Sequence, residues 1–268
     1  CPAASVLALK LTLVPALLLA LTLAGMRWGP GVAGWLTGLP AVAGPILLFL
    51  AIERGTPFAA QAAVAAMAAV LANVAFLVAY SRACLRLRWP GALLAGLLAW
   101  ALAAAALARL PVAVPLALVL ALAGLLVAPR LLPPARAAAA GRRPGAGELA
   151  LRMAAGAGLT VAVTLSAAHV GTAWSGLLTA FPVLTLVMAT FSHRTQGADF
   201  VVALQRATVG GLYAFVAFCA TLAFVLGRGG GITTSFAAAI AATVAVQWLT
   251  RRSAGARPAV AGTPPAAR

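Results

Sequence analysis

Two short motifs, Thr37-x-x-Pro40 and Thr179-x-x-Pro182, hold the residue types best suited to building a polar site inside an apolar chain. A proline within a helix removes one backbone hydrogen bond and frees a carbonyl about four residues earlier. A threonine one turn before it can bond to such freed groups, so each motif offers hydroxyl and carbonyl oxygens to a solute or ion. The same arrangement also serves as a plain kink in two well-packed helices, and its duplication strengthens the functional reading without deciding it. Pro45, next to Gly44, loosens the first copy further and has no counterpart in the second. Arg206 is the one clear cation inside an apolar stretch, which makes it a functional candidate by default. It stands only about 10 Å from the expected span end at 1.5 Å per residue, so snorkelling competes with anion contact. Asp199, seven residues earlier on the same helix face, is placed to pair with it through water.

The remaining reactive residues are sparse. Glu53, Glu148 and Asp199 are the only carboxylates, and all fall at expected helix ends, which disfavours a proton-coupled carrier that needs an acid within the membrane. His169 and His193 lie at span ends without a ligand pattern, and Cys1, Cys84 and Cys219 lack metal or disulfide spacing, so no metal and no cofactor is expected. Cys1 suits a truncated start better than a lipid-bearing residue. No Walker loop, dinucleotide loop, zincin helix or Ser/His/Asp set is present, so the chain is not expected to be an enzyme. Gln61, Asn73, Gln205 and Gln247 suit helix–helix hydrogen bonding more than substrate contact. Trp28, Trp89 and Trp174 suit interfacial anchoring, Trp100 must be packed internally, and Gly210 and Gly211 permit close helix contact.

The elements that must position these residues are transmembrane helices. The chain has 268 residues, 64% hydrophobic and 8% charged, with a mean hydropathy of +1.07. Apolar segments at about 5–25, 33–52, 58–80, 91–108, 112–128, 149–168, 173–192, 200–226 and 232–250 are near the length needed to cross. The fold class is therefore all-α, a polytopic bundle of about nine spans. The first segment has no convincing cleavage site before Met26 and is expected to stay as a span. The charge of +16 sits in short segments between spans, which reads as a topology signal and not as nucleic-acid binding. With the N-terminus outside and the C-terminus cytoplasmic, fourteen arginines fall inside and only Lys10, Arg54, Arg109 and Arg228 outside.

The chain also matches itself at an offset of 142 residues. Leu36-Thr37-Gly38-Leu39-Pro40 aligns with Leu178-Thr179-Ala180-Phe181-Pro182, Gly55 with Gly197, Phe58 with Phe200, and Val74-Ala75-Phe76 with Val216-Ala217-Phe218. Four spans per half with one between them must invert the second half against the first. The expected organisation is a first four-helix repeat at 1–110, a linker helix and basic cytoplasmic loop at 111–147, a second repeat at 148–250, and a disordered cytoplasmic tail at 251–268.

Gly176-Leu177-Leu178-Thr179-Ala180-Phe181-Pro182 and Glu53-Arg54-Gly55 resemble the Gly-Leu start, Phe-Pro step and Glu-Arg-Gly turn of the GlpM-type small bacterial inner-membrane proteins, which are single four-span units. The resemblance covers about 50 residues of each half. It departs from that pattern in the fused duplication, in Leu39 where Phe181 stands, and in Thr195-Gln196-Gly197 in place of Glu-Arg-Gly. It implies a bacterial inner-membrane location and little about chemistry. The leading expectation is a passive channel or facilitative transporter for a small solute, an anion slightly preferred, with Thr37, Pro40, Thr179, Pro182 and Arg206 on the pathway. The rival is a non-transporting scaffold in a polysaccharide or lipid assembly of the envelope. Membrane lipid and a small solute are the expected partners, with a homo-oligomer or envelope-assembly partners left open.

Overall fold

The computed structural model describes residues 2–136, 144–169, 177–178 and 180–255. Thr179, Trp174, the linker residues 137–143 and the tail 256–268 lie outside the described residues. Among the described residues the structure is all-helical, with α1 at Pro2–Thr37, α2 at Ala43–Arg54, α3 at Thr56–Ala83, α4 at Trp89–Leu107 and α5 at Val114–Leu131. The second part of the chain adds α6 at Ala146–His169, α7 at Val183–Gln196, α8 at Ala198–Gly227 and α9 at Ile232–Gly255. Seven of these helices are long and apolar enough to cross a membrane, so the chain is a multi-pass helical membrane protein.

Two further segments of the expected nine are interrupted helices. α1 is two helices joined at Gly29, whose φ of 83° and ψ of 177° no helix allows, and Pro30 then starts a second segment over 30–37. Residues 38–42 turn, and α2 follows with only 12 residues. The expected span 33–52 is thus two half-helices with a break at Pro40. The segment nonetheless follows α8 in one direction, with Gly34 against Leu204, Gly38 against Gly211 and Gly44 against Phe218. In the second half residues 177–178 are helical, 180–182 form the break, and α7 has 14 residues. α7 follows α3 in the same way, from Ala180 beside Asn73 to His193 beside Tyr80.

Hydrogen bonds at one end fix the orientation of the two halves. Arg82 Nε, at the C-terminus of α3, donates to the Leu131 carbonyl at 2.8 Å. Arg206, near the N-terminus of α8, donates to the carbonyls of Pro129, Leu132 and Pro133 at 2.9 to 3.3 Å. α3 and α8 therefore run antiparallel, and α5, parallel to α3, is the odd helix that inverts the second half. Gly55 and Gly197, 142 residues apart, turn α2 into α3 and α7 into α8 with φ of 87° and 85°.

α3 and α8 form the centre, with 72% and 61% of their apolar windows buried against 28% for α4, α5 and α9. Their buried faces are rich in small residues, so helix axes approach closely, as expected where lipid removes any hydrophobic drive to associate. At the tightest point a Cβ on Gly34 would lie 2.0 Å from the Leu204 carbonyl oxygen, and one on Gly38 would lie 2.5 Å from the Gly211 carbonyl carbon. The outer helices present Leu94, Leu98, Leu102, Val119, Leu126 and Val244 on their free faces, as lipid contact requires. α9 continues five residues beyond the expected boundary at 250.

Candidate functional site

The two helix breaks meet at the middle of the molecule. Thr37, Gly38 and Leu39 from the first, and Ala180, Phe181 and Pro182 from the second, face each other across a cleft of about 100 Å3, room for several water molecules. Asn73 of α3, Thr160 of α6, Thr185 of α7 and Leu212 and Phe215 of α8 complete its walls. Every one of these elements except α6 belongs to the central pair or to a broken crossing. The cleft is therefore a product of the repeat and not of one helix.

Its polar groups are held in fixed positions. Asn73 donates from Nδ2 to the Ala180 carbonyl at 3.2 Å and accepts at Oδ1 from the Trp100 indole at 3.0 Å. Trp100 in turn packs edge-on against Phe181, with ring centroids 4.8 Å apart. Thr37 and Thr208 place their hydroxyls 2.9 Å apart, and each hydroxyl also reaches a carbonyl of its own helix, Gly34 at 2.5 Å and Leu204 at 3.0 Å. Three contacts share two hydroxyl hydrogens, so this pair has unused acceptor capacity. No charged side chain lines the cleft among the described residues.

Of the residues singled out from the sequence, Thr37 and Pro182 line the cleft and Thr179 lies outside the described residues. Pro40 turns away from it. It lines a separate apolar groove of about 510 Å3 between α2 and α9, with Leu48, Phe218, Phe236, Thr243 and Gln247 among its neighbours. The burial stripe Ala92, Gly96, Trp100, Ala104 on α4 recurs as Ser235, Ala239, Thr243, Gln247 on α9. Thr243 thus stands where Trp100 stands, and the smaller side chain leaves the groove that the indole fills in the other half.

Arg206 does not approach the cleft. Its guanidinium caps the carbonyl-rich end of α5, where the helix dipole favours a cation. The buried arginine is instead Arg152 of α6, only 1% exposed. It pairs with Glu148 at 2.6 Å, reaches the hydroxyls of Thr22 and Thr195, and lies over the Phe191 ring. A cation at the start of an apolar run reads as interfacial from sequence, and only the packing of α1 and α7 against α6 encloses it. At the same end burial, with the Asp199 carboxylate nearby, pushes the Cys84 thiol up to about 11, which leaves it protonated and inert at neutral pH.

Comparison with family models, with curated proteins and with solved structures finds no match.

Proposed function

We propose that this chain is a passive channel or facilitative transporter for a small solute, which crosses at the interface of the two inverted halves. The observation that carries the reading is the convergence of both helix breaks on one cleft at the centre of the bundle. Irregular backbone at membrane depth is costly unless it lines a cavity, and here it does. The uncharged walls favour a small neutral solute able to hydrogen-bond over the anion that Arg206 suggested. Thr37, Asn73, Thr208 and Pro182 are the residues assigned to the pathway, and nothing in the reading requires catalysis. The arginine-rich end is assigned to the cytoplasm of a bacterial inner membrane, and the GlpM-type resemblance supports that location.

Proteoliposomes carrying the protein, challenged with glycerol or urea in a stopped-flow light-scattering assay, test the reading. Swelling at least severalfold faster than in protein-free liposomes is the expected result, with the Asn73→Leu variant falling back toward the lipid rate. Equal rates for protein and bare lipid with both solutes overturn it. The scaffold reading draws on a different observation, the exposed Arg27, Arg82, Arg86, Arg88, Arg130 and Arg194 at one end, which suit anionic headgroups or a partner. Absence of flux together with stoichiometric partners in a pull-down favours it.

A further inference from the structure

The inverted repeat supplies an internal comparison. Each position between the cleft and the arginine-rich end has a mirror position, 142 residues away, between the cleft and the opposite end. On α3 and α8 the two sets are buried alike, Ser81, Gln205 and Thr208 as fully as Ala223, Ala63 and Ala66, whereas Thr190 and Ser192 of α7 are buried and Leu48 and Leu50 of α2 are half-buried. Their chemistry differs at a set of polar positions. On α3, Ser81 is mirrored by Ala223; on α7, Thr190, Ser192 and His193 are mirrored by Leu48, Leu50 and Ala51. On α8, Gln205 and Thr208 are mirrored by Ala63 and Ala66. At these positions one route out of the cleft is therefore polar on all three of its helices, and the other carries only alanine and leucine.

The polar route is also short of partners. Ser81, Ser192 and Gln205 are each 0% exposed, yet the hydroxyl of Ser81, the hydroxyl of Ser192 and both amide atoms of Gln205 find no hydrogen-bond partner among the described residues. The side-chain amide oxygen of Gln196 is in the same position. A buried polar group left unpaired is costly, the more so away from water, so Ser81, Ser192, Gln196 and Gln205 call for small hydrogen-bonding molecules among them. Tyr80 and His193, 3.4 Å apart between Oη and Nδ1, bridge α3 and α7 along the same layer.

We infer that the cleft is reached by a hydrated passage from the arginine-rich end, between α3, α7 and α8, and is sealed by apolar packing toward the opposite end. The inference rests on the cleft as the site proposed above, but access can be measured without any transport. The ligand of the passage is water, or a neutral solute that replaces it at the same hydroxyl and amide groups.

The experiment uses the full chain with Cys1, Cys84 and Cys219 replaced, carrying single substitutions Ser81→Cys, Ser192→Cys or Gln205→Cys, and the mirror set Ala223→Cys, Leu50→Cys or Ala63→Cys. Membranes are exposed to Ag+, an ion small enough for a single file of water, then unfolded in detergent and alkylated with a fluorescent maleimide. Prior Ag+ should lower alkylation at least tenfold in the first set and leave the mirror set unchanged. Ag+ supplied only on the face where Arg88→Cys reacts with an impermeant maleimide should suffice. Equal protection of both sets, protection of neither, or protection only from the other face overturns the inference. The Ser81→Cys and Ala223→Cys pair exchanges small side chains and decides the matter if the Gln205→Cys protein does not fold. Protection without flux leaves the passage standing and removes the transport reading; flux without protection does the reverse.

Discussion

Arg152 joins three helices through one guanidinium. Its Nε and Nη2 donate to Glu148 on its own helix, Nη1 reaches Thr22 on α1, and Nη2 reaches Thr195 on α7. A buried pair of this kind adds little against an apolar replacement, yet removing one partner strands the other. The two partners are not equivalent here, because Glu148 is 24% exposed at its side chain and Arg152 is 1% exposed. Arg152→Ala should therefore lower stability by about 3 kcal/mol, whereas Arg152→Met, which refills the volume over Phe191, should lower it by about 1. Glu148→Gln should fall between, since it leaves a buried cation with hydroxyl partners only. Thermal unfolding of the three variants in detergent checks the order. If Arg152→Met is as damaging as Arg152→Ala, the charge and its hydrogen bonds hold the three helices together more than the volume does.

At the scale of elements, the paired turns at Gly55 and Gly197 show what the duplication preserved. Both combine a φ near 86° with an extended ψ of 164° or 179°, a region open essentially to glycine alone. An added Cβ would meet only Pro57 Cδ at 3.7 Å in the first turn and nothing within 4 Å in the second. The cost of Gly55→Ala or Gly197→Ala is thus backbone strain, about 2 kcal/mol in each case. Equal losses of unfolding temperature in the two variants are expected, with no change in Gly227→Ala, whose backbone is helical. The elements themselves were largely legible in the sequence, because span length and the 142-residue match are both carried by long apolar runs. The splitting of span 33–52 was legible only in part. Pro40 marks the break, and Gly29 lies between the first two expected spans, where the structure joins two helices, but nothing in the sequence shows that residues 38–42 leave the helix altogether. Arg206 and Arg152 show the opposite limit. Both are cations near a span end, and only the neighbours that α5, α1 and α7 bring decide which one is enclosed. Of the polar positions on α3, α7 and α8, Gln205 and His193 stood out one by one, whereas Ser81, Thr190, Ser192 and Thr208 did not, because each is a single small residue inside an apolar run. Setting each beside its mirror position would have exposed the polar layer without a structure.

For the whole molecule, inversion has a consequence for the placement of charge. Two halves of the same fold facing opposite ways would carry equal charge at both ends if sequence followed fold. Among the cations whose side chains are described, Arg27, Arg82, Arg86, Arg88, Arg130, Arg136, Arg152, Arg194 and Arg206 instead lie toward one end, and Arg54, Arg109 and Arg228 toward the other. The repeat has therefore diverged where loops meet the two aqueous phases, in the direction that fixes insertion. The same divergence governs the interior, since the polar layer opens toward the arginine-rich end. Single-cysteine labelling at positions 88, 136 and 228 measures the first of these asymmetries directly. Positions 88 and 136 should react from the cytoplasmic face and position 228 from the opposite face. Because nine arginines oppose three, the orientation should survive Arg206→Gln, which removes only the cap on α5 and should leave solute flux unchanged. Mixed labelling of position 228 from both faces would mean that two orientations coexist in the membrane. The protein would then present the hydrated end of its cleft to either side, and the charge asymmetry would have to be explained by headgroup contact in place of topology.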